Sequence, residues 1–334
     1  MRTLARTALR GSLAGIRHVR AVPPGEAEGL VAAVYAQSER EFGLLAPPLA
    51  LHSPAPEALA ASWLLLRETL LAGDRVSRPA REAVATGVSR ANSCPYCVEV
   101  HRAQVRTLPR DAAAGRLARW ALRGGPRPFP AEDAPEILGV ALAFHYLNRM
   151  VNVFLRETPV PPGTPAALRG GVLRVVTRLT RPSGPGAPEP GGSLGLLPDA
   201  PLPGDLSWAA GRPHIAGALA RAAAAVDAGA ERSVPEPVRE LVRERLATGT
   251  GPPPPGQPWI DDTGKAVAAL PAALRPAGRL ALLTALASYR VGRNVVDDYR
   301  RSGTPGDREL IELTSWAALT AARRACSTDS SDPS

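Results

Sequence analysis

Residues 81–101 read REAVATGVSRANSCPYCVEVH, and they hold two of the chain's three cysteines, one of its five histidines and a glutamate at the start. Ser77, just upstream, is placed to cap a helix with Pro79 in its first turn, where a missing N–H costs nothing. That helix is expected to run through Glu82 to about Ala91. Asn92 tolerates the left-handed conformation that ends helices, and Ser93 can then cap a second helix that carries Pro95 in its first turn. The stretch is therefore two helices meeting at a short Asn-Ser junction.

The same grammar extends outward in both directions. Ala/Leu/Arg segments with apolar residues three and four apart are broken by Pro and Gly, with no strand-like alternation, so an all-α fold is expected. The helices expected before the centre of the chain are Pro24–Phe42, Pro56–Ala72, Pro79–Ala91, Pro95–Arg106, Asp111–Leu122, Pro135–Leu155 and Pro165–Leu179. Those after it are Leu206–Ala228, Pro235–Ala247, Trp259–Ala269, Pro276–Val291 and Asp307–Ala325. Thr180–Asp205 and Thr248–Pro258, rich in Pro and Gly, cannot be helix. The organisation read from this is a basic arm (1–25), a helical half with the cysteine motif (26–180), a Pro/Gly-rich linker or loop (181–205), a second helical half (206–326) and a polar, disordered tail (327–334).

The halves echo one another weakly. Laying residues 81–102 on 279–300 without gaps keeps Arg81/Arg279, Ala83/Ala281, Thr86/Thr284, Val98/Val296 and Arg102/Arg300. Glu82, Cys94, Cys97 and His101 become Leu280, Gly292, Val295 and Tyr299. If the halves are related, only the first retains chemistry.

Composition narrows the classes. With 334 residues and 45% apolar content the chain can bury a proper core. Cysteines at 94, 97 and 326 cannot make a secreted disulfide framework, and an unpaired Cys326 in a polar tail would be a liability outside a reducing compartment, so a cytoplasmic location is expected. The charge of +9 comes from 39 Arg and Lys265 set among 31 acids, and only 4% of residues are aromatic. A nucleic-acid binder would gather its basic residues on one face and interleave aromatics, so no nucleic-acid partner is expected. The segment MRTLARTALRGSLAGIRHVRAVPPG has five Arg and no acid. It suits an amphipathic arm for a membrane surface or a transit peptide, and more simply an arm packed on the protein. It lacks the continuous apolar region of a secretory signal, and no apolar run of about 18 residues suggests a membrane span elsewhere.

The chemistry concentrates at the junction. Cys94 and Cys97 fall at a helix N-terminus, where the dipole and free N–H groups favour a thiolate and should lower the thiol pKa below about 8.5. His101, four residues after Cys97 and seven after Cys94, shares their face. Glu82 can fold back from the preceding helix to orient the imidazole and pass protons. Closeness to the helix end favours Cys94 as the attacking thiol; the spacing to His101 favours Cys97.

The pattern Glu82, Ser89, Asn92, Cys94, Tyr96, Cys97 and His101 resembles, position for position, the signature of the alkylhydroperoxidase D-like branch of the carboxymuconolactone decarboxylase superfamily. The resemblance implies an all-α fold of repeated helical units and a thiol peroxidase. Cys97 would attack a hydroperoxide, Cys94 would resolve it to a Cys94–Cys97 disulfide, and Glu82 and His101 would relay the proton. It implies no cofactor beyond that dithiol, an external reductant in the form of a thiol protein or small dithiol, and a homo-oligomer.

Other readings stand beside it. A decarboxylase or lactone-processing enzyme like the superfamily's name-givers would not need the cysteine pair. A structural zinc site on Cys94, Cys97 and His101 lacks a fourth ligand other than the remote Cys326. Two inert buried thiols would leave Glu82, Asn92 and His101 unexplained. A non-catalytic helical protein could keep the pair as a redox switch. Finally, the apolar helix PEILGVALAFHYLNRMVNVFL carries one polar stripe, His145, Asn148, Arg149 and Asn152. The stripe either lines or backs the Cys-His centre or, more simply, forms a satisfied polar network at a subunit or inter-half contact.

Overall fold

The computed structural model describes residues 13, 15–73, 75–160, 164, 168, 170, 171, 187–248 and 264–327. Among these, regular structure is helical throughout, as expected. The first half contains α1 (Gly29–Glu41), the single turn α2 (Pro47–Ala50), α3 (Pro56–Leu66), α4 (Arg78–Ala91), α5 (Pro95–Thr107), α6 (Ala114–Arg123) and α7 (Ala134–Phe154). The second contains α8 (Pro213–Ser233), α9 (Glu236–Thr248), α10 (Arg275–Ala287), α11 (Arg293–Arg301) and α12 (Asp307–Cys326). Pro occupies the first turn of α2, α3, α4, α5, α7, α8 and α10, where it donates no bond that the helix would have used.

Helix α7 is the axis of the molecule. It packs on α4, α3 and α12, and Phe144, Tyr146 and Phe154 along it are essentially without solvent contact. Each such side chain contributes about 1.5–3 kcal/mol by leaving water. The segment Ala131–Phe154 is long and apolar enough to cross a membrane, but 83% of its most apolar window is buried inside the protein, which makes it a core helix. The Tyr146 hydroxyl bonds the Ser62 hydroxyl at 3.0 Å and donates to Ser315 Oγ at 3.2 Å, tying α3, α7 and α12 together. One hydrophobic cluster runs from Val31 to Cys326, so both halves of the chain share a core.

Several boundaries differ from the sequence expectation, each for a local reason. The helix expected over Leu206–Ala228 is a 3-10 segment, Gly204–Ala209, followed by α8; Pro213 forces Arg212 into an extended conformation and breaks the run. The helix expected to reach Ala72 closes in a π-helical turn, Arg67–Leu71. There the buried Glu68 carboxylate accepts from Arg67, from the backbone N–H groups of Gly191 and Ser193, and from the Ser193 hydroxyl, pinning the chain where it returns after the Pro/Gly-rich stretch. Helix α11 was not anticipated, because its charged sequence offers only Val295, Val296 and Tyr299 to the core. Cys326 does not lie in a polar tail: it closes α12 and is 4% exposed.

The expected helix Pro165–Leu179 lies almost entirely outside the described residues, as do the start of Trp259–Ala269, residues 1–12 of the basic arm, and 328–334. The described part of the arm packs on the protein. Ile16, Val19 and Val22 lie against the core, the Arg17 N–H donates to Phe154 O at 2.8 Å, and the Val22 N–H donates to Ser53 Oγ at 2.8 Å.

The approach of α6 to α4 depends on a glycine. A Cβ on Gly87 would stand 2.5 Å from the Ala118 carbonyl oxygen and 2.8 Å from Ala121 Cβ. Backbone cannot yield there cheaply. Gly87→Ala should therefore lower stability by about 1–2 kcal/mol in denaturant unfolding, even though alanine is the better helix former.

Candidate active site

Helix α4 starts as its sequence suggests, with Ser77 Oγ accepting from the Ala80 N–H at 3.2 Å. Its end differs. Asn92 is not left-handed (φ −85°, ψ 7°); Ser93 is (φ 50°), and the N-cap of α5 is Cys94. The reason lies in α7, which holds Asn92 on both sides. Asn152 Nδ2 donates to the Asn92 carbonyl at 3.0 Å, while the Asn92 amide donates to Asn148 Oδ1 at 3.1 Å. The turn is left to exposed Ser93, and the Cys94 N–H bonds back to Ser89 O at 2.9 Å.

Cys94 and Cys97 are both reduced and buried, 1% and 5% exposed. The Cys97 thiol lies beside the Cys94 thiol and the Asn148 side chain, close enough for both to act on its ionisation. Burial pushes Cys97 well above the ordinary 9.0, the neighbouring Cys94 thiol adds to this, and Asn148 pulls weakly the other way. The expectation of a lowered thiol pKa is thus reversed for Cys97. The half-charge of a helix end is a smaller effect than taking a thiolate out of water.

Behind the thiols stands a hydrogen-bonded imidazole–carboxylate pair. His101 Nδ1 lies 2.7 Å from Glu82 Oε2, and Glu82 Oε1 accepts from Arg78 Nε at 2.9 Å and Nη2 at 2.6 Å. Burial acts to raise the Glu82 pKa, but Arg78 and then His101 overcome it and bring the carboxyl down to about 2. An ionised Glu82 accepts only, so Nδ1 of His101 carries the proton shared with the carboxylate, and Nε2 is the ring nitrogen turned away from it. The edge of Phe144 braces the ring, centroids 4.5 Å apart and planes at 86°.

Cys97 and His101 open together onto a crevice of about 90 Å³. Its walls come from Phe42, Leu44, Pro47, Leu49, Leu147 and Val151, and its polar groups are Tyr96, Cys97 and His101. Burial and the two adjacent thiols raise the Tyr96 hydroxyl above its ordinary value, so it faces the crevice as a neutral donor. Glu82 lies behind His101, and Cys94 does not line the crevice.

The polar stripe of α7 combines both readings given to it. Asn148 touches Cys97 and donates to Ser89 Oγ at 3.1 Å, so it stands directly behind the thiols. Arg149 donates to Asn92 Oδ1 at 3.1 Å and to the Ala285 carbonyl at 2.9 Å, and Asn152 donates to Ser288 Oγ at 3.0 Å, which ties the junction to the second half. His145 bonds Asn92, and burial followed by Arg149 lowers its pKa to about 3, keeping it neutral. The sequence reading did not single out Arg78 or Phe144. Arg78 was legible as the i−4 neighbour of Glu82. Phe144 gave no signal beyond a place on an apolar helix. Among the described residues no group of three His, Cys, Asp or Glu is arranged to hold a metal ion.

The fold thus brings a buried pair of thiols beside an imidazole–carboxylate pair, all carried on helices. Residues 57–109 match the model of the carboxymuconolactone decarboxylase family. Over 333 residues the chain is 38% identical to alkyl hydroperoxide reductase Rv2159c of Mycobacterium tuberculosis, covering 92% of this chain and 93% of that protein. The chain belongs to the carboxymuconolactone decarboxylase superfamily, in its alkylhydroperoxidase D-like branch.

The lowered Glu82 pKa has a thermodynamic signature. A depressed carboxyl stabilises the fold above its ordinary 4.5, and that stability is lost as pH falls toward about 2. The stability gap between wild type and Glu82→Gln, on the order of 3 kcal/mol at neutral pH, should narrow steadily between those two values in denaturant titrations.

Proposed function

We propose that the protein is a thiol-dependent peroxidase that reduces hydroperoxides through a Cys94–Cys97 dithiol/disulfide cycle. The observation that carries this reading is the shared crevice: Cys97 and His101 face one apolar opening while Glu82 holds the far side of the imidazole. The similarity to a protein named alkyl hydroperoxide reductase supports the same chemistry.

A hydroperoxide enters with its organic end among the apolar walls. Sγ of Cys97 attacks the terminal oxygen and the O–O bond breaks. Nε2 of His101 takes the thiol proton and passes it to the departing alkoxide, releasing alcohol and leaving Cys97 as a sulfenic acid. Cys94 then attacks the Cys97 sulfur; the disulfide forms and the hydroxyl leaves as water with the Cys94 proton. In sum, one hydroperoxide and two thiols give alcohol, water and one disulfide. An external dithiol restores the pair. The raised pKa of Cys97 suits this order, because a buried, protonated thiol is protected at rest and a more basic sulfur is the stronger nucleophile once His101 removes its proton. The crevice lining favours Cys97 over Cys94 as attacker.

The decarboxylase reading fits less well. Among the described residues, neither Arg nor Lys lines the crevice to receive an anionic lactone or carboxylate substrate.

Reduced protein mixed with cumene hydroperoxide should lose both motif thiols in a free-thiol count. Cys97→Ser should fail to consume peroxide, and Cys94→Ser should stop after one turnover as a sulfenic acid. His101→Gln should slow the first step by about 10²–10⁴-fold while preserving the fold. An unchanged thiol count in wild type would refute the proposal.

A further inference from the structure

Arginine is unevenly distributed over the surface. Between residues 90 and 127 there are eight arginines against two acids, Glu99 and Asp111, a surplus of six out of the chain's net nine. Arg102 and Arg106 lie on α5 opposite the buried face formed by Cys97, His101 and Gln104. Arg116, Arg119 and Arg123 follow one another along α6 away from its contact with α4. Arg90, Arg110 and Arg127 sit at the ends of these elements. All eight are exposed, and none of their side chains makes a hydrogen bond or ion pair with a described residue. The two acids are already engaged: Glu99 accepts from Thr158 Oγ1 at 2.9 Å, and Asp111 accepts from the Ala113 N–H at 2.7 Å and from Ser77. Elsewhere many arginines are neutralised, as in Arg323–Asp205 and Arg300–Asp307. The scatter of charge among acids expected from the sequence fails in this region.

The region brackets the cysteine junction in sequence. Arg90 ends α4 immediately before it, Arg102 follows five residues after Cys97, and the residues flanking Cys94, Ser93 and Pro95, are exposed. We infer that the arginine face of α4, α5 and α6 is the docking surface for an acidic, dithiol-bearing protein that re-reduces the Cys94–Cys97 disulfide. The inference rests on the cycle proposed above, which needs such a reductant. One partner thiolate reaches the Cys94 sulfur between the exposed residues Ser93 and Pro95 and attacks it, and the Cys94–Cys97 bond breaks. Cys97 leaves as a thiolate and is protonated through His101. The partner's second thiol then displaces Cys94 from the mixed disulfide, so two electrons and two protons pass from partner to protein and the partner leaves oxidised. Unpaired arginines steer an acidic partner to this edge and discriminate against basic ones. A nucleic acid would want exposed aromatics among the arginines. Trp120 is instead half-buried, packed edge-on to Phe129 with centroids 4.9 Å apart.

The test starts from full-length protein oxidised with diamide, so that no peroxidase step is involved. Re-reduction is timed with two synthetic Cys-x-x-Cys peptides of matched thiol pKa, one flanked by Asp and Glu and one by Lys, and with dithiothreitol. The acidic peptide should react at least about tenfold faster than the basic one at low ionic strength, and the advantage should collapse by roughly 0.5 M salt. The triple variant Arg102→Glu, Arg106→Glu, Arg119→Glu should abolish or invert the preference while dithiothreitol reduces it at the wild-type rate. The corresponding Arg→Gln triple, milder for folding, should erase the preference without inverting it. Equal rates for the two peptides would overturn the inference. So would an oligonucleotide that displaces the acidic peptide, which would assign the face to nucleic acid. If cumene hydroperoxide fails to oxidise the thiols but the peptide preference holds, the peroxidase reading falls and this surface stands.

Discussion

The arrangement depends on one buried charge. Glu82 lies without solvent contact in the core of the first half, and it remains ionised only because Arg78 and His101 meet its two oxygens. A lone carboxylate at that depth would neutralise or unfold its surroundings. Its ionisation fixes the tautomer of His101, and the tautomer fixes which nitrogen is available beside Cys97. The geometry that permits the Arg78–Glu82–His101 triad is the tight α4–α5 junction, which brings Glu82 and His101, nineteen residues apart in sequence, within 2.7 Å.

That junction is in turn held by α7. Asn92 is gripped through both side chain and carbonyl, Asn148 bridges Ser89 and the Cys97 thiol, and Arg149 and Asn152 carry the same network across to the second half. A polar stripe on an otherwise apolar helix is costly unless each group finds a partner. Here the partners position the redox pair, which explains why a helix buried nearly all round tolerates four polar residues in two turns.

Much of this was legible in the residues. The Pro-initiated helices, the Ser77 cap and the convergence of Glu82, Cys97 and His101 follow from spacing and capping rules that act over a few residues. What was not legible depends on contacts distant in sequence. Asn92 looks like the natural left-handed residue until α7 claims it and Ser93 takes the turn. A cysteine near a helix end looks acidic until its burial is known. Cys326 looks like part of a polar tail until the core at the end of α12 is seen. Arg78 is the instructive omission, since an i,i+4 partner to a buried carboxylate is a local signal and its effect on Glu82 is large.

The central claim is that Cys97 rests as a protected, protonated thiol and becomes a nucleophile only when His101 takes its proton beside bound substrate. The most direct measurement is the ultraviolet absorbance of thiolate across pH in the free, reduced protein, taken as the difference between wild type and Cys97→Ser. The account predicts a Cys97-dependent signal that appears only above the ordinary thiol value of 9.0. A Cys97 thiolate already present at neutral pH would contradict it.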